Sequence, residues 1–194
     1  HGLYEQGIDP DLARGPLATD LPGLYAVGGT SFGMHESQSR LIENHVGRAP
    51  AFWQAHFGLL RDAFPDQLSD VSLEEWLAAI NSPRPGFIRI QADELTYDLH
   101  IMLRVRLEMA LLDGSLAVAD LPEAWNAAMR DDLGLDVPDD GQGCLQDVHW
   151  SHGYFGSFPT YTIGNMTAAH LFETLSRDPE VAAGLSDADY APLR

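Results

Sequence analysis

Apolar positions recur at helical spacing along most of the chain. Thr30 and Ser31 can cap a run through Glu36 to about Val46, on which Phe32, Glu36, Ser39 and Glu43 share a face, so that Glu36 can point inward while Arg40 is available to pair with a carboxylate. Gly47 ends that run. Pro50 opens the next, an amphipathic helix carrying Phe52, Trp53, Phe57, Leu60 and Phe64, read as core packing. Ser72 caps a further helix that closes before Pro83. From Gly86 to Ala92 the alternation fits a short strand or the lead-in to a helix. The longest run, Asp93 to Leu112, places Leu95, Leu99, Met102, Leu103, Leu107 and Leu111 on more than one side, which predicts a central helix buried among others. Gly114 stops it. Leu121 to Leu133 forms the next helix, with Pro122 in its first turn. An acidic Gly/Pro-rich loop (137–143), the run Leu145 to Trp150 and a Gly- and aromatic-rich passage (151–161) follow, and a last long helix covers about 160–176. Ahead of all these, residues 8–29 hold too many breakers for a helix and read as a loop with a short extended piece at 24–27. The pattern predicts a mainly α, multi-helix domain over 1–194 with at most a short β-hairpin or strand.

Composition narrows the function. At 194 residues and 45% hydrophobic content the chain can bury a proper core. A formal charge of -18, with no lysine, repels nucleic acid and anionic membranes. Cys144 is the one cysteine, so no intrachain disulfide can form, and it reads as a small buried side chain rather than a nucleophile. No apolar run approaches the roughly 18 residues of a membrane span, and no secretory leader opens the chain, so the cytoplasm is the expected compartment. Without a secretory route the sequon at Asn165 is read as structural.

The candidate chemistry lies in His35-Glu36-Ser37-Gln38-Ser39-Arg40 taken with the first residues, His1 to Gly7. Alone, a His-Glu pair on a helix is a polar surface feature. A zinc peptidase of the H-E-x-x-H type sets two His one turn apart, with the Glu between them poised over a metal-bound water. This chain holds no such motif, but it opens on a His followed by a short helix-compatible run, which is what remains when the motif is cut before its second His. A carboxylate from a later helix is the usual third ligand, and Glu36 lies on one.

Five passages in order then carry a resemblance: His1 to Glu5, His35 to Arg40, Ile88-Arg89-Ile90-Gln91-Ala92-Asp93-Glu94-Leu95-Thr96-Tyr97, Leu145-Gln146-Asp147-Val148-His149-Trp150 and Phe158-Pro159-Thr160-Tyr161. Together they resemble the carboxypeptidase Taq family of metallocarboxypeptidases, over essentially the whole chain. The resemblance implies a helical, neurolysin-like fold with a deep cleft. It also implies one zinc or cobalt ion, release of single residues from peptides with a free C-terminus, and a cytosolic homodimer. It makes His1 and Glu36 metal ligands. The first His and the general-base Glu would precede this chain. The sequence is therefore expected to be an internal fragment, lacking a large N-terminal helical portion and a shorter C-terminal one, and inactive alone. Ser157 departs from the family, which usually carries a Tyr there. The alternative reading is a non-catalytic helical fragment that packs on a partner or a second copy.

Within the resemblance, the tetrahedral oxyanion needs donors opposite the metal, and His149 and Tyr161 are the candidates, against a capped His and a packed Tyr. His152 and Tyr154 are close enough in sequence to be confused with them. A terminal carboxylate is best matched by a bidentate Arg, and Arg89, set between Ile88 and Ile90, is the candidate; its rival role is an ion pair with Asp93 or Glu94.

Overall fold

A computed structural model of the chain describes residues 26–27 and 30–193. His1, the run to Gly7 and the loop that follows lie outside the described residues. In chain order come β1 (Ala26–Val27), β2 (Thr30–Ser31), α1 (Phe32–Arg40), a π-helical turn (Leu41–Val46), α2 (Pro50–Ala63), α3 (Pro65–Leu68), α4 (Leu73–Ile80), α5 (Glu94–Leu112), α6 (Leu121–Leu133), α7 (Pro159–Leu175) and α8 (Pro179–Asp187). The class is mainly α. Among the described residues the only sheet is the antiparallel pair β1–β2, with Ala26 opposite Ser31 and Val27 opposite Thr30. The described residues fall into two compact units, one of residues 26–82 and 163–193 and one of residues 83–162; the division lies inside α7, between Thr162 and Ile163. No helix among the described residues is long and apolar enough to cross a membrane.

In the first unit, Ser31 caps α1 by accepting the Met34 N–H, and Ser72 caps α4 in a reciprocal box with Glu75. Trp76 of α4 meets Trp53 edge-on at 4.9 Å and stacks on Phe57 at 5.9 Å, so these aromatics of α2 are packing, as their spacing predicts, whereas Phe64 follows the last turn and is 53% exposed rather than part of the core. Past the last predicted helix, α8 has its own start signal, Asp178 as cap and Pro179 in the first turn. Tyr190 beyond it closes on α2 through a 2.9 Å hydrogen bond with His56.

In the second unit, Leu103, Leu107, Trp125, Met129, Leu133 and Cys144 form the core, drawn from α5, α6 and the loop after them. Burial, and then Asp140, push the Cys144 thiol up, which keeps it protonated and inert. The orientation of α5 corrects the expectation of an all-round greasy central helix. Leu95 is 74% exposed and Met102 54%, while Thr96, Tyr97, His100, Arg104 and Glu108 are buried with Leu103 and Leu107. Polar residues occupy much of the inner face because they bond to one another and to the loop after α6.

Candidate functional site

The second unit gathers three of the residues singled out in the sequence. Asp93 caps α5, accepting the Leu95 and Thr96 N–H groups at 2.8 and 3.0 Å, and it also takes the Arg84 N–H. That employment removes it as a partner for Arg89. Arg89, on the 3-10 turn (Arg89–Gln91) ahead of the cap, instead turns inward and is buried. Its Nε and Nη2 donate to Asp147 Oδ1 at 3.1 and 2.7 Å, and its Nη1 donates to the Tyr97 hydroxyl at 2.8 Å. The internal ion pair weighed for Arg89 therefore exists, with Asp147 as its partner rather than Asp93 or Glu94. The guanidinium also lies 4.8 Å from the Tyr161 ring centre.

Asp147 is shared. Its Oδ2 accepts from Arg104 Nε at 2.6 Å, and Arg104 is completely buried. Gln146 locks the pair: its side-chain oxygen accepts Arg104 Nη2 at 2.8 Å and the Arg89 backbone N–H at 2.9 Å, while its amide nitrogen donates to three loop carbonyls. Burial brings Arg104 down to about 10, with Asp147 opposing, so it stays cationic at neutral pH. Burial is the largest influence on Arg89 and acts to lower it, but the Asp147 hydrogen bond, together with the electrostatic pull of Tyr97, Asp147 and Tyr161, outweighs it and the net shift is upward. Burial raises Asp147, and the two guanidiniums more than reverse that. One carboxylate thus serves two buried guanidiniums, and the cluster carries one positive charge in excess.

His149 stands beside it. Its Nε2 is 2.9 Å from the Tyr161 hydroxyl, its ring lies 4.4 Å from that of Phe158, and Nδ1 sits 3.8 Å from Asp147 Oδ1, too far for a hydrogen bond. Burial, assisted by Arg89 and Arg104 and opposed by Asp147, lowers its pKa, so the ring is neutral at pH 7. Its single proton belongs on Nδ1, where the N–H dipole faces the carboxylate; the other tautomer would aim a lone pair at it. Nε2 then accepts from Tyr161 O–H. His152 and Tyr154 point elsewhere: His152 Nδ1 lies against the Val148 carbonyl, and both side chains are exposed. Ser157, in the place of the family's Tyr, is buried and donates to the Tyr154 carbonyl.

Glu36 belongs to the first unit. It is buried on α1, with Oε1 3.3 Å from Arg40 Nε one turn on, the pairing its spacing predicts. Gly164 of α7 packs directly on it: a Cβ at 164 would lie 3.0 Å from Glu36 Cγ and 3.1 Å from Glu36 Cβ. The glycine thus permits a close approach that fixes the carboxylate's stem. A buried carboxylate on a held stem suits a cation ligand, but among the described residues no three His, Cys, Asp or Glu converge to hold a metal ion. Any such site draws on donors outside them, and His1 is one candidate.

Sequence reasoning gave no role to Arg104, Asp147, Tyr97 or Glu108. An Arg inside the apolar run of α5 and an Asp two residues before His149 were the available signals.

A mainly α chain with a buried Arg/Asp/His cluster and a buried helical Glu has solved and named relatives of one class. The family model of the Carboxypeptidase Taq (M32) metallopeptidases matches residues 1–194, and the chain belongs to that family. It is 47% identical to "Thermostable carboxypeptidase 1" of Thermus thermophilus, over 89% of this chain and 32% of that protein. It is 42% identical to "Carboxypeptidase 1" of Bacillus subtilis, over 100% of this chain and 37% of that one. The solved M32 carboxypeptidase of Deinococcus radiodurans superposes with a TM-score of 0.81 at 45% identity, over 100% of this chain and 37% of that chain. The chain therefore spans about a third of the length of the relatives it matches.

Proposed function

We propose that this chain is part of the catalytic domain of a metallocarboxypeptidase that releases single residues from peptides with a free C-terminus. The observation that carries the reading is the uncompensated positive charge of the Arg89–Asp147–Arg104 cluster, which calls for an anion. A peptide's terminal carboxylate supplies one. Three Arg89 hydrogens are committed to Asp147 and Tyr97, and one on each Nη remains to form the two-pronged bond a carboxylate accepts.

His1 and Glu36 are proposed to hold a zinc ion, for which cobalt can substitute, and a cation there would polarise the scissile carbonyl and acidify a water. The remaining steps rest on the chain's own side chains. Tyr161 O–H can swing from His149 Nε2 to a developing oxyanion, exchanging a neutral hydrogen bond for a stronger charged one. Phe158 fixes the ring face of His149 and limits water at that side. The 194-residue chain contains no H-E-x-x-H, so by itself it is proposed to release nothing; the complete protein is proposed to act in the cytoplasm as a homodimer.

In the complete protein, Arg89→Ala is expected to lower kcat/KM for free-C-terminus peptides by about tenfold to a hundredfold, the range of a lost charged hydrogen bond, and to change little for amidated peptides. Equal losses on both substrates would remove Arg89 as the carboxylate clamp. Gly164→Ala is expected to push Glu36 aside and weaken metal affinity by about tenfold to a hundredfold, in the same direction as Glu36→Gln. A chelator-competition titration reads this without activity, and an unchanged affinity in both variants would take Glu36 out of the ligand set.

A further inference from the structure

Glu108 lies on the inner face of α5 and is 5% exposed. Its oxygens have separate tasks. Oε2 accepts the Trp150 indole N–H at 2.7 Å, and Oε1 accepts the Gly156 backbone N–H at 2.6 Å. Those two donors are the ends of the loop that leaves His149 and returns to Phe158 and Tyr161. Within the loop the chain folds on itself: the His149 carbonyl takes the His152 and Tyr154 N–H groups, and Gly153 and Gly156 have φ of 75° and 74°. At Gly156 the left-handed backbone is what turns its N–H toward Glu108.

We propose that Glu108 is a positioning residue for the site, a clamp on both ends of the Trp150–Gly156 loop that sets the spacing of His149 and Tyr161. The inference rests on the functional reading given above. A buried carboxylate is a costly way to fill space, since its desolvation must be offset by the bonds it accepts. What it provides that no neutral side chain does is two acceptor oxygens on one rigid group. A glutamine would accept one N–H and oppose the other with its own amide hydrogens. Both bonds end on one rigid carboxylate, so the indole and the Gly156 peptide are held relative to each other as well as to α5. Trp150 passes the constraint on, because its ring meets Phe158 edge-on at 5.8 Å and Phe158 lies against His149.

The test uses Glu108→Gln and Trp150→Phe in the complete protein; the second breaks one end of the clamp while keeping an aromatic ring in place. Each is expected to lower kcat about tenfold to a hundredfold with KM changed by less than about threefold, the result of a small misplacement of groups that act on the reacting centre. The double variant should lose little more than either single one. The His149 imidazole, followed by NMR and assigned with His149→Gln, should titrate higher in both variants. Its packed position among Asp147, Arg89, Arg104 and Tyr161 would then have loosened toward water. A purely structural role predicts lower thermal stability with kcat per folded molecule and the His149 titration unmoved, and that outcome overturns the proposal. If Glu108→Gln does not fold, Trp150→Phe decides on the same two readouts. Full activity in His149→Gln would sink the functional reading and this inference with it. An inactive His149→Gln beside an unaffected Glu108→Gln and Trp150→Phe would sink the inference alone.

Discussion

Asp147→Asn is expected to destabilise the unit of residues 83–162 by about 3–5 kcal/mol, the usual result of removing one partner from a buried ion pair. Among the described residues Asp147 is the one carboxylate bonded to both Arg89 and Arg104, and the second of these is wholly out of water. The amide oxygen of Asn can keep the bonds from Arg89, but its NH2 then faces the Arg104 Nε–H, donor against donor. Two guanidiniums would also stand together with no compensating charge. The cation–π contact of Arg104 with the Trp125 ring, 4.6 Å away, is too weak to make up the difference. Urea unfolding of the complete protein at neutral pH measures the loss. Adding Arg104→Met to Asp147→Asn should recover part of it, because the worst-placed charge is then replaced by an apolar chain of similar length. A single variant within about 1 kcal/mol of the parent, near the median value of an exposed pair, would mean that solvent screens this cluster.

The same cluster explains which parts of the molecule the sequence disclosed. Helix ends were legible because they depend on local chemistry: Ser31, Ser72 and Asp93 cap their own neighbours, and Pro50 and Pro122 sit in first turns. α6 followed from the same signals, whereas of the hairpin only an extended piece at 24–27 was legible, and Thr30–Ser31, read as a cap, is its second strand. The face of α5 was not legible. Periodicity assigns apolar residues to the inside, whereas here Arg104 and Glu108 are inside because Asp147, Gln146, Trp150 and Gly156, 42 to 48 residues further on, supply their partners. No window of sequence contains that information. For the site, Arg89, His149 and Tyr161 were singled out by motif, and they lie together in one unit. The excess charge was not, since it appears only when Arg104 and Asp147 are seen to share one bond network. Helical spacing set Glu36 on one face of α1 with Phe32 and Ser39, and it is buried there, but the glycine packed against it, 128 positions away, was not legible.

His100 should give the protein an acid-sensitive step of stability between about pH 6.5 and 4. The ring is completely buried on α5; the Gly86 backbone faces it, yet neither nitrogen completes a well-formed hydrogen bond. Burial, and then the charges of Arg104 and Arg89, bring its pKa down to about 4, with the Gly86 carbonyl and Asp147 opposing. A third positive charge beside two guanidiniums and one carboxylate is what the folded state refuses. The unfolded chain accepts that proton near pH 6.5, so between the two values it binds more protons than the folded chain does, and stability rises with pH. The contribution is complete above about pH 6.5, falls away as pH drops toward 4 and amounts to about 3 kcal/mol in all. His149, lowered for the same reason, adds to the loss in this window. Asp93 and Asp147, held below the usual carboxylate range, act lower down, where their stabilisation disappears as pH falls beneath about 4. Urea unfolding at a series of pH values isolates the His100 part through His100→Gln, whose amide is neutral throughout and can reach the Gly86 carbonyl. The parent should lose about 3 kcal/mol more than His100→Gln between pH 7 and 4. Parallel curves for the two proteins would mean that His100 takes up its proton in the folded state as readily as in water, so that neither its burial nor the charges of Arg104 and Arg89 govern it.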